Sequence, residues 1–263
     1  FESLFGLCDS DGQFTAYWAR MPAQEKRAFE QAVDHLMAAW ATDPGMHVYH
    51  YAPYETAALR RLSARYNTRV EQVDRMLRAG RLVDLYAVVR QALRAGTESY
   101  SIKKLEAFYD PDRRAGAEVA DAASSIVAFE RWLATGDVSQ LDAIERYNES
   151  DCRSTLRRRD WLEHQRGVLV RAGGAIQRPT EHDGAPSEHA AAVTAASRRL
   201  YQQLTADLPA DRGGDDTTGR ATRLLADLLD WHRREARPEW WEYYRRLELP
   251  DDDLVDDSAA VGR

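Results

Sequence analysis

Residues 1–166 alternate short aromatic or apolar runs with longer stretches of helical period, and this alternation limits the possible folds more than any other feature. The runs SLFGLC and QFTAYWA flank DSDG, a strong turn signal, so residues 3–19 read as a β-hairpin. In MPAQEKRAFEQAVDHLMAAWA, the apolar positions Phe29, Val33, Leu36, Met37 and Trp40 recur at helical spacing. DPGMHVYHY breaks that helix and predicts a buried strand at about 46–51. YETAALRRLSARY and RVEQVDRMLRAG are again helical. RLVDLYAVVRQAL opens as a short strand, with Asp84 near its end, and turns into a helix. SYSIKKLEAFY reads as a short helix behind a serine cap. AGAEVADAASSIVAFERWLATG is helical, and DVSQLDAIERYNESDCRSTLRRRDWLEHQR gives one or two further helices. Strand–helix alternation of this kind means layered α/β architecture.

The composition shifts after about residue 167. GGAIQRPTEHDGAPSEH has the Gly, Pro and polar content of a linker. A helix, AAAVTAASRRLYQQLTADL, and a loop, PADRGGDDTTG, follow it. RATRLLADLLDWHRREARPEWWEYYRRLEL then reads as an amphipathic helical pair broken at Pro238. The chain shows no internal repeat. Its apolar runs fall short of the roughly 18 residues that a membrane span needs, and it shows no signal peptide. The net charge of −7 argues against a uniformly basic nucleic-acid binder, although local fields are a separate matter. Acidic residues gather in PDDDLVDD, and Lys26, Lys103 and Lys104 are the only lysines. Cys8 and Cys152, the only cysteines, are too few for a four-cysteine metal site and are taken as free thiols of a cytoplasmic protein. The first residue is Phe1 rather than Met, which raises the expectation that the chain is cut from a longer polypeptide.

Three acidic positions stand where strands and helices meet. Glu55 lies at a strand-to-helix junction, Asp84 at a strand end, and Asp151 on a helix one turn after Tyr147. Positions i and i+4 share a helical face. Carboxylates that converge from strand ends and a later helix suit hard divalent cations. Such ions can generate hydroxide and stabilise both oxygens of a phosphoryl displacement, and a neighbouring phenol can orient the water. Each residue also has an ordinary reading. Glu55 suits a helix dipole, Asp84 suits a turn or cap, and Tyr147 with Asp151 suits a solvated face. His47 and His50 have opposite parity in their strand, so at most one of them points at a site, and a structural role suits either.

Taken in order, HVYHYAPYETAALRRLSARY, LVDLYAVVRQAL, SYSIKKLEAFY and AIERYNESDCRSTLRRRDWL resemble the ribonuclease H-like domain of the YprB type, within the DEDD exonuclease superfamily, over residues 1–166. Such domains occur in bacterial RecB-family-like putative nucleases that also carry a superfamily 1 helicase portion. The C-terminal LLADLLDWHRREARPEWWEYYRRLELPDDDLVDD resembles the segment between the two portions.

The resemblance implies an α/β ribonuclease H-like mixed sheet flanked by helices, with a C-terminal helical extension. It divides the chain into an exonuclease domain at 1–167, a linker at 168–190 and a helical extension at 191–257 that leads to a helicase region. It implies a metal-dependent 3′–5′ exonuclease on DNA or RNA that uses Mg²⁺ or Mn²⁺. Asp151 matches the last acid and Tyr147 the tyrosine of the Tyr-x-x-x-Asp motif. Glu55 stands where the second motif carries aspartate. Asp84 matches a supporting aspartate, and Lys103 a lysine near the phosphate backbone. The metal would rest on Glu55 and Asp151. The first motif, Asp-x-Glu, belongs just before FESLFGLC and is not among these residues, so the first strand is expected to be missing.

Arg153, Arg157, Arg158 and Arg159 follow Asp151 and offer either phosphate contacts or a solvated face; Arg153 and Arg157 are taken as nucleic-acid contacts. Trp231, Trp240, Trp241, Tyr243 and Tyr244 could stack bases or pack between elements. Two rival readings stand beside the nuclease. One is an inactive ribonuclease H-like module that binds nucleic acid or braces a helicase. The other is a protein-interaction domain that uses the tryptophan-rich tail.

Overall fold

Asp9 shapes the first turn. Its Oδ1 accepts from the Asp11 and Gln13 amides at 3.0 and 2.8 Å, and Gly12 supplies φ +80°. The turn closes an antiparallel hairpin of β1 (Leu4–Cys8) and β2 (Phe14–Trp18), with Gly6 opposite Ala16. This is the hairpin that the DSDG signal predicts. A computed structural model describes residues 1–110, 122–209, 211, 214 and 216–247. The chain divides into two units, Phe1–Gly184 and Ala185–Arg263.

Pro22 opens α1 (Pro22–Thr42), where its missing amide costs no hydrogen bond. One face of α1 buries Ala28, Phe29, Ala32, Val33 and Trp40. Phe5 of β1 meets Phe29 with ring centroids 6.3 Å apart. The buried Glu25 on the same helix accepts from the Glu2 amide and the Tyr66 hydroxyl and pairs with Arg65, so it ties the N-terminal segment to the next helix.

β3 (Val48–His50) pairs in parallel with β4 (Leu82–Asp84), and His50 lies opposite Asp84. Parallel neighbours need a crossover. Here it runs through α2 (Tyr54–Tyr66) and α3 (Val70–Arg78). The sheet is therefore two short pairs of strands, one antiparallel and one parallel. Asp84 caps α4 (Leu85–Ala92), and Ser101 caps the single turn α5 (Ile102–Leu105). Glu106–Phe108 is a 3₁₀ turn. The expected helix around 115–136 is described from Ala122 as α6 (Ala122–Thr135); residues 115–121 lie outside the described residues.

The stretch expected to be one or two helices is a single helix, α7 (Ser139–Arg171). It packs on β1, α6 and β3, and buries Leu141, Ile144, Ser154 and Arg158. After α7 the chain runs back over α3. Arg75 Nε and Arg78 Nε donate to the carbonyls of Asp183 and Gly184 at 3.0 and 2.9 Å, and Arg178 pairs with Glu163 at 2.6 Å.

The second unit contains α8 (Glu188–Thr205), α9 (Thr217–Asp227) and α10 (Trp231–Leu247). Sequence predicts a break at Pro238, but α10 runs through it, and the break falls at Asp230, with φ +59°. Asp230 accepts from Ser197 at 2.9 Å. Trp241 is buried, whereas Trp231, Trp240 and Tyr243 are exposed. The Tyr244 side chain and the acidic stretch 250–257 lie outside the described residues. No described helix is long and apolar enough to cross a membrane.

Candidate functional site

The chain leaves β3 through a strained turn. Ala52 has φ +68°, a conformation that costs a side-chain-bearing residue about 1–2 kcal/mol. Both sides of its backbone are held. Its N–H donates to Asp84 Oδ1 at 2.8 Å, and its carbonyl accepts from His50 Nδ1 at 2.8 Å. The turn places Glu55 in the first turn of α2, where a carboxylate is favoured by the helix dipole.

Glu55 is half exposed, yet burial by the surrounding protein pushes its carboxyl up to about 7. The negative charges of Asp84 and Asp151 raise it further, against its own backbone amide, which lowers it. Glu55 on α2 thus feels the carboxylates at the end of β4 and on α7. Burial first, and these like charges after it, favour the protonated form of the Glu55 carboxyl.

Asp84 is both a cap and a member of this group. Its Oδ1 accepts from the Tyr86 amide, capping α4, and from the Ala52 amide across the strands, each at 2.8 Å. Asp151 is half-buried on α7, and half-buried Tyr147 lies one turn before it. Residues 147, 151, 154 and 158 form one stripe along the helix.

His50 belongs to this neighbourhood, although opposite strand parity gave no reason to choose it over His47. It is 5 % exposed, and its Nδ1 lies 3.7 Å from Glu55 Oε2. Burial lowers its pKa against the Ala52 carbonyl and Asp84, so near neutral pH it is an uncharged donor to Ala52 and forms no ion pair with Glu55. His47 sits beside Tyr49, with rings 6.3 Å apart. Cys152 faces the Gly6 carbonyl, and burial pushes its thiol up to about 12; Cys8 is also a free thiol.

The candidate nucleic-acid contacts are all exposed. Lys103 is exposed on α5. Exposed Arg153 pairs with Glu149 one turn earlier at 2.7 Å, and exposed Arg157 pairs with Asp110. Surface pairs of this type contribute little to stability and are readily exchanged for phosphate. Arg158 lies apart from these, wholly buried. A groove of about 600 Å³ lined by Tyr17, Gln31, Asp34, His35, Ala38, Ala39 and Thr42 includes none of Glu55, Asp84 and Asp151.

Among the described residues, no three or more His, Cys, Asp or Glu side chains gather tightly enough to hold an ion by themselves. Glu55 and Asp151 are carboxylates, the hard oxygen donors that Mg²⁺ takes one or two of alongside waters and substrate phosphates.

The family model for the RNase_H superfamily matches residues 1–163. No curated protein and no solved structure matches the chain significantly.

Proposed function

The chain belongs to the RNase H superfamily, whose activity class is nucleic-acid hydrolysis, and from that premise we propose that it is a divalent-metal-dependent 3′–5′ exonuclease on DNA or RNA. What supports this reading is the electrostatic coupling of Glu55, Asp84 and Asp151, which come from three separate elements. Glu55 and Asp151 would hold Mg²⁺ or Mn²⁺, which activates water and stabilises the oxygens of the displaced phosphate. Asp84 keeps the Ala52 turn and the start of α4 in place. Tyr147 orients the attacking water, and Lys103, Arg153 and Arg157 meet the backbone phosphates. The finer placement, in a YprB-type nuclease that works beside a helicase region, is part of this proposal.

The test is trimming of 3′- and 5′-labelled single-stranded and duplex oligonucleotides with Mn²⁺. The expected result is shortening from the 3′ end. Asp151→Asn should lower the rate by at least about 100-fold, beyond the roughly 10–100-fold cost of losing a ligand's supporting partner, without changing the melting temperature by more than a few degrees. Equal trimming by wild type and Asp151→Asn removes Asp151 from the reaction.

A second reading is a non-catalytic module that binds nucleic acid or braces a helicase. The lack of a closed three-ligand group among the described residues favours it. It expects oligonucleotide binding with no Mn²⁺-dependent cleavage.

A further inference from the structure

Beneath the acidic group lies a buried polar cluster that the proposed chemistry does not use. Arg158, two turns past Asp151 on α7, has no exposed surface. Its guanidinium carbon lies 4.1 Å from the Tyr51 ring centroid and 5.2 Å from that of Tyr109. Its Nη2 donates to the Tyr109 hydroxyl. That hydroxyl lies 3.2 Å from Ser154 Oγ, which donates to the buried Glu106 carboxylate at 2.9 Å. Nε and Nη1 have no acceptor among the described residues.

Such a residue is expensive. A buried cation loses hydration, and each orphaned donor adds a further penalty. Well-packed apolar side chains often serve stability as well or better in such positions. Stability alone therefore does not account for Arg158, and its location suggests a different role. Tyr51, the ring under the guanidinium, immediately precedes Ala52. It also meets Tyr86 edge-on, with ring centroids 5.4 Å apart, and its hydroxyl donates to the Tyr100 carbonyl. Ala52 and Tyr86 are the two residues whose amides converge on Asp84 Oδ1. Both neighbours of the Asp84 carboxylate are thus braced by one aromatic ring, and that ring is braced by Arg158.

We infer that Arg158 is a positioning residue: by stacking on Tyr51 it holds the left-handed Ala52 turn in register, and with it the placement of Asp84 and Glu55. A planar cation over a ring resists sliding and tilting more than an aliphatic contact does. That restraint is what a strained turn needs to persist. The inference deepens the nuclease reading and rests on it for the consequence in catalysis, though not for the restraint itself.

The restraint is read by amide hydrogen exchange in the intact chain. Arg158→Met should speed exchange at Ala52 and Tyr86 at least about tenfold while leaving Phe29 and Val33 of α1 unchanged. Two variants keep the test independent of how well a substituted Arg158 packs. Tyr51→Leu, which removes the stacking ring, should reproduce the loss; Tyr51→Phe, which keeps it, should not. Unchanged exchange at Ala52 in Tyr51→Leu overturns the inference, as does Tyr51→Phe behaving like Tyr51→Leu. With Mn²⁺ and an oligonucleotide, Arg158→Met should lower kcat by about 10–100-fold, as loss of a ligand's supporting partner does, and leave KM within about twofold. A merely structural loss would instead scale with the fraction unfolded. A wild type that cleaves nothing defeats the nuclease proposal, while the exchange at Ala52 still decides the role of Arg158.

Discussion

With its carboxyl pushed up to about 7 by burial and by Asp84 and Asp151, Glu55 holds a proton in the folded chain across a range where the unfolded chain, at its ordinary 4.5, has lost it. Folding therefore binds protons between about pH 4.5 and 7. The stabilisation is fully present below 4.5 and is lost as pH rises through 7. Denaturant melts of the metal-free protein should show wild type losing stability relative to Glu55→Gln between pH 5 and pH 8. A parallel pH dependence of the two proteins would contradict this. Because a cation competes with that proton, Mn²⁺ affinity measured by titration calorimetry should rise with pH through 7. At this scale the sequence marks Glu55 and Asp84, because strand ends and helix starts leave local signals, whereas Asp151, inside a helix, stands out only through the family resemblance. It does not mark His50 or Arg158. Opposite parity left His47 and His50 equivalent, and nothing in the three consecutive arginines 157–159 says which one turns inward; only the tyrosines that meet Arg158 in the fold decide that.

Among the elements, α7 carries most of the candidate site, and it packs on β1 where Gly6 has no side chain. A Cβ there would lie 1.7 Å from Asn148 Oδ1 and 2.8 Å from Phe14 Cε2. Asn148 is adjacent to Tyr147 and one turn before Cys152, so a Cβ at Gly6 displaces the Asn148 side chain beside the stretch that bears Tyr147 and Asp151. Gly6→Ala should cost about 1–3 kcal/mol in denaturant unfolding, as overpacking does, and should weaken Mn²⁺ binding; unchanged stability would show that α7 is seated elsewhere. The hairpin and α1 were legible because turn chemistry and helical period are local. The parallel pairing of β3 with β4 was not, because a crossover of two helices separates three-residue strands whose only signal is a short apolar run. Asp84 shows the overlap of two readings: the cap was legible, and its second bond, to Ala52, depends on that distant pairing.

On the scale of the whole molecule, the chain forms two units, and the first ends at a buried glycine. Gly184 adopts φ +68°, and a Cβ there would lie 2.3 Å from the Arg75 carbonyl oxygen. Gly184→Ala should release the segment that lies on α3, seen as faster limited proteolysis between residues 172 and 187; unaltered cleavage would contradict the docking. The Gly- and Pro-rich composition of that stretch signals a linker and conceals this docking, which relies on arginines of α3 far back in the chain. The helices of the second unit were legible from their period, but the break at Asp230 was not, because an aspartate in left-handed conformation leaves a weaker signal than Pro238. The central claim is that Glu55 and Asp151 share a divalent cation. Anomalous diffraction from crystals soaked in Mn²⁺ tests it most directly: the account expects a manganese peak in direct contact with both carboxylates, and manganese bound elsewhere, or absent from both, would contradict it.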